Sequence, residues 1–493
     1  MRIILVGALA GAGLAWSATG ASADLIESAK NGAHEAAMAL VKRTNANQAE
    51  ADGTTVLHWA VRNDDIPLVD KLLKAGAKVD VANRFGVTPL YLACVNGNAT
   101  MLDLLLKAGA DANSVSSEGE TALMTVARTG VVEAARLLLD RGAKIDAREQ
   151  WRGQTALMWA AAQQHAPMVK FLIEHGADVN ARSDIKKWER QVTSEPREKW
   201  LPPGGLTPLL FAAREGCLEC VQVLVDKGAD IQVVDPDGIS GVLSATINGH
   251  YDIAAYLLDK GTNPNLLDKT GRGALYAAVD FNTMPQSNRP APHVLNNHLT
   301  ALDLIAKLLD HGANVNAQLE KQVPYRTKLD RGDDTMFGAG TTPMIRAAKA
   351  GDAAAMKLLL GKGADATLAT KAGINPLMAA AGVGTKEEDT TGRQKSEEQA
   401  IEAIRLCLQA GVNINTVDVR GQTALHGAAF WGKDKVVQFL ADNGAKLDAK
   451  DNRGFTPRDS ALGKTGGVGF DGASVQVHAS TADLLDKLAK AKK

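Results

Sequence analysis

The sequence predicts an all-α stack of helical hairpins, and three observations carry that expectation. One phrase, Gly-x-Thr-Pro-Leu-x-x-Ala, recurs: it stands at residues 86–93 and 205–212, and in looser form at 53–60 and 421–428. Its third position falls at Thr55, Thr88, Thr121, Thr155, Thr207, Ser240, Gly273, Thr342, Asn375, Thr423 and Thr456, with gaps of 33, 33, 34, 52, 33, 33, 69, 33, 48 and 33 residues. A second phrase, Gly-Ala-Asp/Lys/Asn, follows most of these marks by 21 residues, each time behind an aliphatic run such as Leu102–Leu106. Periods of this length are the mark of a repeat architecture rather than of separate globular domains.

Each part of the unit has a physical role. A Thr hydroxyl accepts a backbone N–H at a helix start. A following Pro sits at the first helical position, where its missing N–H costs nothing. Leu and Ala then build a thin first helix. A turn such as Asn96-Gly97-Asn98 reverses the chain into a second helix with an aliphatic stripe, Met101, Leu102 and Leu105. Gly109 ends that helix in a left-handed cap, and a turn such as Arg84-Phe85-Gly86 leads between units. One unit cannot cover its own apolar faces, but stacked neighbours can.

The 33-residue period with Thr-Pro-Leu-His-x-Ala resembles the ankyrin repeat, over about residues 25–490. The resemblance implies about twelve helix-turn-helix repeats, caps included, with short β-hairpin fingers between them. In chain order, residues 1–23 read as a signal peptide: Arg2, the apolar run Ile3–Trp16, and the small-x-small site Ala21-Ser22-Ala23. The mature chain, 24–493, then opens on an N-terminal cap at 24–52 and continues through repeats over 53–453. It closes on a C-terminal cap, 454–493, where Arg458 replaces the usual Leu and a final helix is expected around Thr481–Ala489.

Four insertions interrupt the phase, near 181–205, 281–298, 317–340 and 382–397. The first and third fall in the hairpins between repeats, which the resemblance places on the finger edge used for recognition. The second and fourth fall between the two helices of one repeat. Lys386–Glu398 is charged and polar, and reads as a mobile loop.

Composition excludes several functions. Hydrophobic residues are 45% and aromatic residues 4%, which suits Ala/Leu packing. A net charge of −1 gives no basic surplus for general nucleic-acid binding. Four Cys in 493 residues are no disulfide scaffold. Apart from Ile3–Trp16, no stretch is long and apolar enough to span a bilayer, so no stable membrane insertion is expected after cleavage.

Candidate chemistry is sparse. Cys217-Leu-Glu-Cys220 stands at a helix start, where small-residue core packing, a redox or disulfide role, and a metal site are all open, packing being the leading reading. The resemblance gives His58 and His426 the task of hydrogen-bonding neighbouring loops. His293 and His298 with Asp330, Asp333 and Asp334 would form a metal or acid–base site only if two insertions converged. No phosphate-binding loop, nucleophile elbow or H-E-x-x-H is present.

The expected function is therefore non-enzymatic: a cofactor-free, monomeric scaffold that binds another protein through its finger edge and first-helix faces. Candidate partner-binding residues are Phe85, Trp151 and Arg152 at turn tips, with Trp188, Arg190, Trp200, Tyr325, Arg326, Arg331 and Phe337 in the two finger insertions. Trp, Tyr and Arg are enriched at interface hot spots; packing of the insertion aromatics onto the stack is the alternative. The leader points to export, periplasmic rather than extracellular, in a bacterial cell. A metal-dependent or hydrolytic enzyme built on the insertions, or a secreted effector acting on a host protein, are the rival readings.

Overall fold

The computed structural model describes residues 24–187, 203–282, 297–323, 338–385, 395–464 and 477–491. Among these it has 24 helices and no strand. The all-α expectation holds, but the fingers are leaner than β-hairpins: isolated bridges such as Val115–Thr121, Val234–Ser240 and Leu267–Gly273 replace ladders.

The chain divides into two compact units, residues 1–144 and 145–493. The first holds α1 (Leu25–Lys30), α2 (His34–Leu40), α3 (Val56–Arg62), α4 (Ile66–Lys74), α5 (Pro89–Asn96), α6 (Ala99–Lys107), α7 (Ala122–Thr129) and α8 (Val132–Asp140). The second opens with α9 (Ala156–Ala162), α10 (Ala166–Glu174), α11 (Pro208–Glu215), α12 (Leu218–Asp226), α13 (Gly241–Ile247) and α14 (Tyr251–Asp259). It continues with α15 (Ala274–Asn282), α16 (Ala301–Asp310), α17 (Pro343–Ala350), α18 (Ala353–Gly361) and α19 (Pro376–Ala381). It ends with α20 (Glu397–Gln409), α21 (Ala424–Phe430), α22 (Asp434–Asp442), α23 (Pro457–Ala461) and α24 (Ala479–Ala491). Within each unit the odd-numbered helices pack in succession: α3, α5 and α7 in the first, α9 through α23 in the second.

The repeat phrase explains this packing. Where the marked residue is Thr, Ser or Asn it is the N-cap: Thr88 Oγ1 accepts from the Tyr91 N–H at 3.1 Å, and Asn375 Oδ1 from the Met378 N–H at 2.9 Å. Pro follows at the start of α5, α11, α17, α19 and α23. Five residues after the mark stands Ala60, Ala93, Ala160, Ala212, Ala245, Ala278, Ala347, Ala428 or Ala461, each fully buried. A larger side chain there would push successive first helices apart. Val126, also fully buried, is the exception in α7. Second helices supply the aliphatic bulk, as with Met101, Leu102 and Leu105 of α6.

Gly109 has φ +95°, and a Cβ there would meet nothing within 4 Å. Glycine is needed there for its conformation, not for space. Amide side chains tie successive second turns. Asn113 Nδ2 donates to Gly142 O at 3.0 Å, and its Oδ1 accepts the Lys144 N–H at 2.9 Å. Asn265 does the same for Gly312 and Asn314.

Two expectations change. Lys386–Glu398 is not loop throughout: Ser396 caps α20, so Glu397 and Glu398 form its acidic first turn, favoured by the helix dipole. The closing helix is longer than the sequence pattern suggests, and Asp486 within it pairs with Arg458 Nε at 2.7 Å.

Candidate functional site

The finger tips share one construction. A polar side chain five residues before the N-cap accepts two backbone N–H groups of its own turn. Asn83 Oδ1 takes those of Phe85 and Val87, both at 3.0 Å. Asp235 takes those of Asp237 and Ile239, and Asp451 those of Arg453 and Phe455. These turns satisfy their own backbone donors with a side chain of the same turn.

Phe85 is 53% exposed, with the Arg84 guanidinium 4.7 Å from its ring centre. The Arg84 N–H donates to the Asp52 carbonyl of the preceding finger at 2.8 Å. A Cβ on Gly86 would lie 2.8 Å from the Ser117 nitrogen, so glycine lets the next finger approach.

The finger carrying Trp151 departs from the pattern. The gap of 34 residues before Thr155 adds one residue to it, and the acceptor is Glu149 rather than Asp or Asn. The extra methylene lets the carboxylate cap a longer turn. Glu149 Oε1 accepts from Arg152 and Gln154 at 2.8 and 3.0 Å, and Oε2 from Trp151 at 2.5 Å. The carboxylate is buried while Trp151 is 61% exposed. The Asp184 N–H then donates to Arg152 O at 2.6 Å, and Arg148 pairs with Asp184 at 2.8 Å. The two fingers thus lie side by side.

Phe85, Trp151 and Arg152 stand at exposed tips, as the sequence indicates. Trp188, Arg190, Trp200, Tyr325, Arg326, Arg331 and Phe337 lie outside the described residues, as do His293, Asp330, Asp333 and Asp334. Sequence reasoning missed Ile185, which is exposed beside this finger, and the capping role of Glu149; the 34-residue gap was its only signal.

The leading reading of Cys217 and Cys220 as packed thiols is corrected, because the two are joined by a disulfide. Cys217 is the N-cap of α12 and Cys220 is three residues on, so the helix start holds their Cα atoms 5.2 Å apart, within disulfide reach. Both are buried, so the pair is still part of the core. Cys94 and Cys407 are buried free thiols. Burial pushes the Cys407 thiol up to about 12 and raises Cys94 as well, so neither is a ready nucleophile.

His58 and His426 act as the resemblance implies. The Thr55 N–H donates to His58 Nδ1 at 3.1 Å, and Nε2 donates to Val87 O at 3.0 Å. His426 repeats this between Thr423 and Phe455. That pattern needs the neutral ring, and burial lowers the pKa of both. His298 meets Asp252, at 2.9 Å. Among the described residues no group of three or more His, Cys, Asp or Glu could hold a metal, and no helix is long and apolar enough to cross a membrane.

The other unexpected chemistry is a buried ion pair. Arg346 Nε of α17 donates to Asp280 Oδ1 of α15 at 2.7 Å, with side chains 0% and 2% exposed. Beside it, Asn282 Nδ2 donates to Asp352 Oδ2 at 2.5 Å. Such a pair loses hydration that only good geometry offsets.

Comparison with known proteins identifies the repeat. A family model for ankyrin repeats (3 copies) matches residues 25–116, 100–183, 209–319 and 393–461. Protein phosphatase 1 regulatory subunit 12A of Mus musculus is 38% identical over 60 residues, 12% of this chain and 6% of that one. Serine/threonine-protein kinase 12 of Arabidopsis thaliana is 39% identical over 67 residues, 14% of this chain and 15% of that one. Ankyrin repeat protein 14 of vaccinia virus (strain Western Reserve) is 34% identical over 56 residues, 11% and 24% of the two chains. The chain thus spans no more than 24% of these relatives. The crystal structure of the human ASB11 ankyrin repeat domain is 27% identical, with a TM-score of 0.40 over 49% of this chain and 99% of that one. With the family model matched over well over half of its length, this chain belongs to the ankyrin-repeat family.

Proposed function

We propose that this chain is an exported, non-enzymatic binding module that holds a partner protein on its finger edge. Ankyrin repeats typically mediate protein–protein interaction, and they generally do so without catalysis. The observation that carries the reading is an exposed aromatic on a finger of each unit, Phe85 in the first and Trp151 in the second, each on a turn whose own donors are already satisfied. A rigidly presented aromatic gains by leaving water and loses little entropy on binding. In this reading Trp188, Arg190, Trp200, Tyr325, Arg326, Arg331 and Phe337 of the finger insertions extend the same edge, and the working form is a monomer.

Export to a bacterial periplasm is the second part of the proposal. The apolar leader with Ala21-Ser22-Ala23 supports it, and the Cys217–Cys220 disulfide suits an oxidising compartment. The test combines both parts. A photoreactive phenylalanine analogue is placed at position 85 or 151 of the full chain, and crosslinks are analysed in the envelope fraction. Protein crosslinks from the finger positions, absent from position 74 on α4, are the expected result, from a chain whose N-terminus is Asp24. Equal crosslinking at all three positions overturns the surface assignment; retention of Met1 overturns export.

A further inference from the structure

We infer that the adjoining fingers at 148–154 and 182–187 form a docking site for an acidic segment of a partner protein that carries an apolar anchor. The inference rests on the protein-binding reading above and names its chemistry.

The charge is local. The chain as a whole is −1, yet these two fingers hold Arg148, Arg152, Arg182, Lys186 and Lys187 against only Glu149 and Asp184. Both carboxylates are already engaged: Glu149 caps its own turn with both oxygens, and Asp184 pairs with Arg148. Among the described residues no ion pair reaches Arg152, Lys186 or Lys187, and Arg152 and Lys187 are exposed. On the next finger Asp235 is spent on its own turn, and Asp237 is neutralised by Lys269 at 2.9 Å.

The apolar component sits among these cations. Ile185 is 59% exposed, and it and Trp151 are each one residue from the Arg152–Asp184 backbone contact. A buried aliphatic chain gives non-directional affinity, while surrounding cations steer an acidic segment and fix its register. Three cations on two adjoining turns are too short a track for a nucleic-acid backbone, where affinity grows with each phosphate neutralised.

The test uses the full-length mature chain and a fluorescein-labelled short peptide of Glu and Asp around a central Leu-Phe pair, read by anisotropy. The acidic-apolar peptide is expected to bind, and to weaken about tenfold or more in Arg152→Glu/Lys186→Glu/Lys187→Glu. Trp151→Ala is expected to weaken it by a similar factor, and raising salt from about 50 to 300 mM to weaken it further. The neutral triple variant Arg152→Gln/Lys186→Gln/Lys187→Gln, with unchanged melting, guards against a folding artefact and is expected to lie between wild type and reversal. Equal binding by the reversal variant, by a Lys-substituted peptide, or by a single-stranded oligonucleotide overturns the inference. If the position-151 crosslink survives in the reversal variant, the acidic assignment fails while protein binding stands; if wild type gives no crosslink either, the functional reading itself fails.

Discussion

The same repeat positions behave differently in α3 and α5 of the first unit and in α15 and α17 of the second. Four residues after the N-cap stand Trp59 in α3 and Leu92 in α5, both half-buried; the equivalent residue of α17 is Arg346, fully buried. Seven residues after the repeat mark stand Arg62 and Val95, both exposed, against Asp280 of α15 and Lys349 of α17, both buried. In α3 the side chains are arranged as on a wet surface: the Arg62 guanidinium lies 5.2 Å from the Trp59 ring centre, and Trp59 Nε1 donates to Glu50. Between α15 and α17, Asp280 and Arg346 are dry and paired with each other. Helix phase alone therefore does not set exposure in a repeat protein, and charged residues at these positions mean different things in different repeats.

The largest expected effect sharpens this contrast. Arg346→Met leaves Asp280 as a buried charge without that guanidinium and is expected to destabilise the second unit by about 3–5 kcal/mol. Arg62→Met, at an exposed position of α3, should change stability by no more than about 0.5 kcal/mol. The double variant Arg346→Met/Asp280→Leu should recover most of the single-mutant loss, because it removes both charges. Chemical denaturation followed by hydrogen exchange in each unit reads these values; equal losses for Arg346→Met and Arg62→Met would break the contrast.

Next comes the disulfide, which only the second unit possesses. It closes a very short loop, with a sequence separation of 3. The chain-entropy argument therefore limits its contribution to about 2 kcal/mol. Cys217→Ser/Cys220→Val should lower the melting of the second unit alone, and reductant should do the same to wild type. A matching shift in the first unit, where Cys94 is a free thiol, would show that another process is at work.

The smallest effect is one the two units share. His58 in the first and His426 in the second are neutral rings whose folded pKa is lowered by burial from 6.5. As pH falls below about 6.5 the unfolded chain takes up these protons before the folded one does. Stability present above that value is thus lost as pH drops through the folded pKa. Replacing His58 with Gln should flatten that dependence in the first unit and leave the second unchanged, as followed by thermal melting between neutral and mildly acid pH.

Much of the candidate site was legible because it is local. Phe85, Trp151 and Arg152 fall between a glycine-capped helix and the next N-cap, and a turn there has few places to point. The capping role of Glu149 was not legible: its evidence is one additional residue in a gap, and only the hydrogen bonds show that the longer acid fills it. Ile185, Lys186 and Lys187 lie where an insertion blurs the phase, so nothing in the pattern singled them out.

By itself the sequence determined what each repeat does with its own backbone. The Thr and Asn caps, the Pro at helix starts, the left-handed glycines, the small buried Ala and the neutral His are set by interactions within one repeat or with its neighbour, and each recurs where a copy of the phrase supplies that residue. The tertiary structure alone decided three things. It joined Cys217 to Cys220, although spacing allowed several fates. It paired Asp280 with Arg346 across 66 residues. It set two fingers side by side, so that a chain of nearly balanced charge carries a local cationic edge. The last two depend on which surfaces meet, and a periodic pattern fixes the repeat while leaving open what its variable positions face.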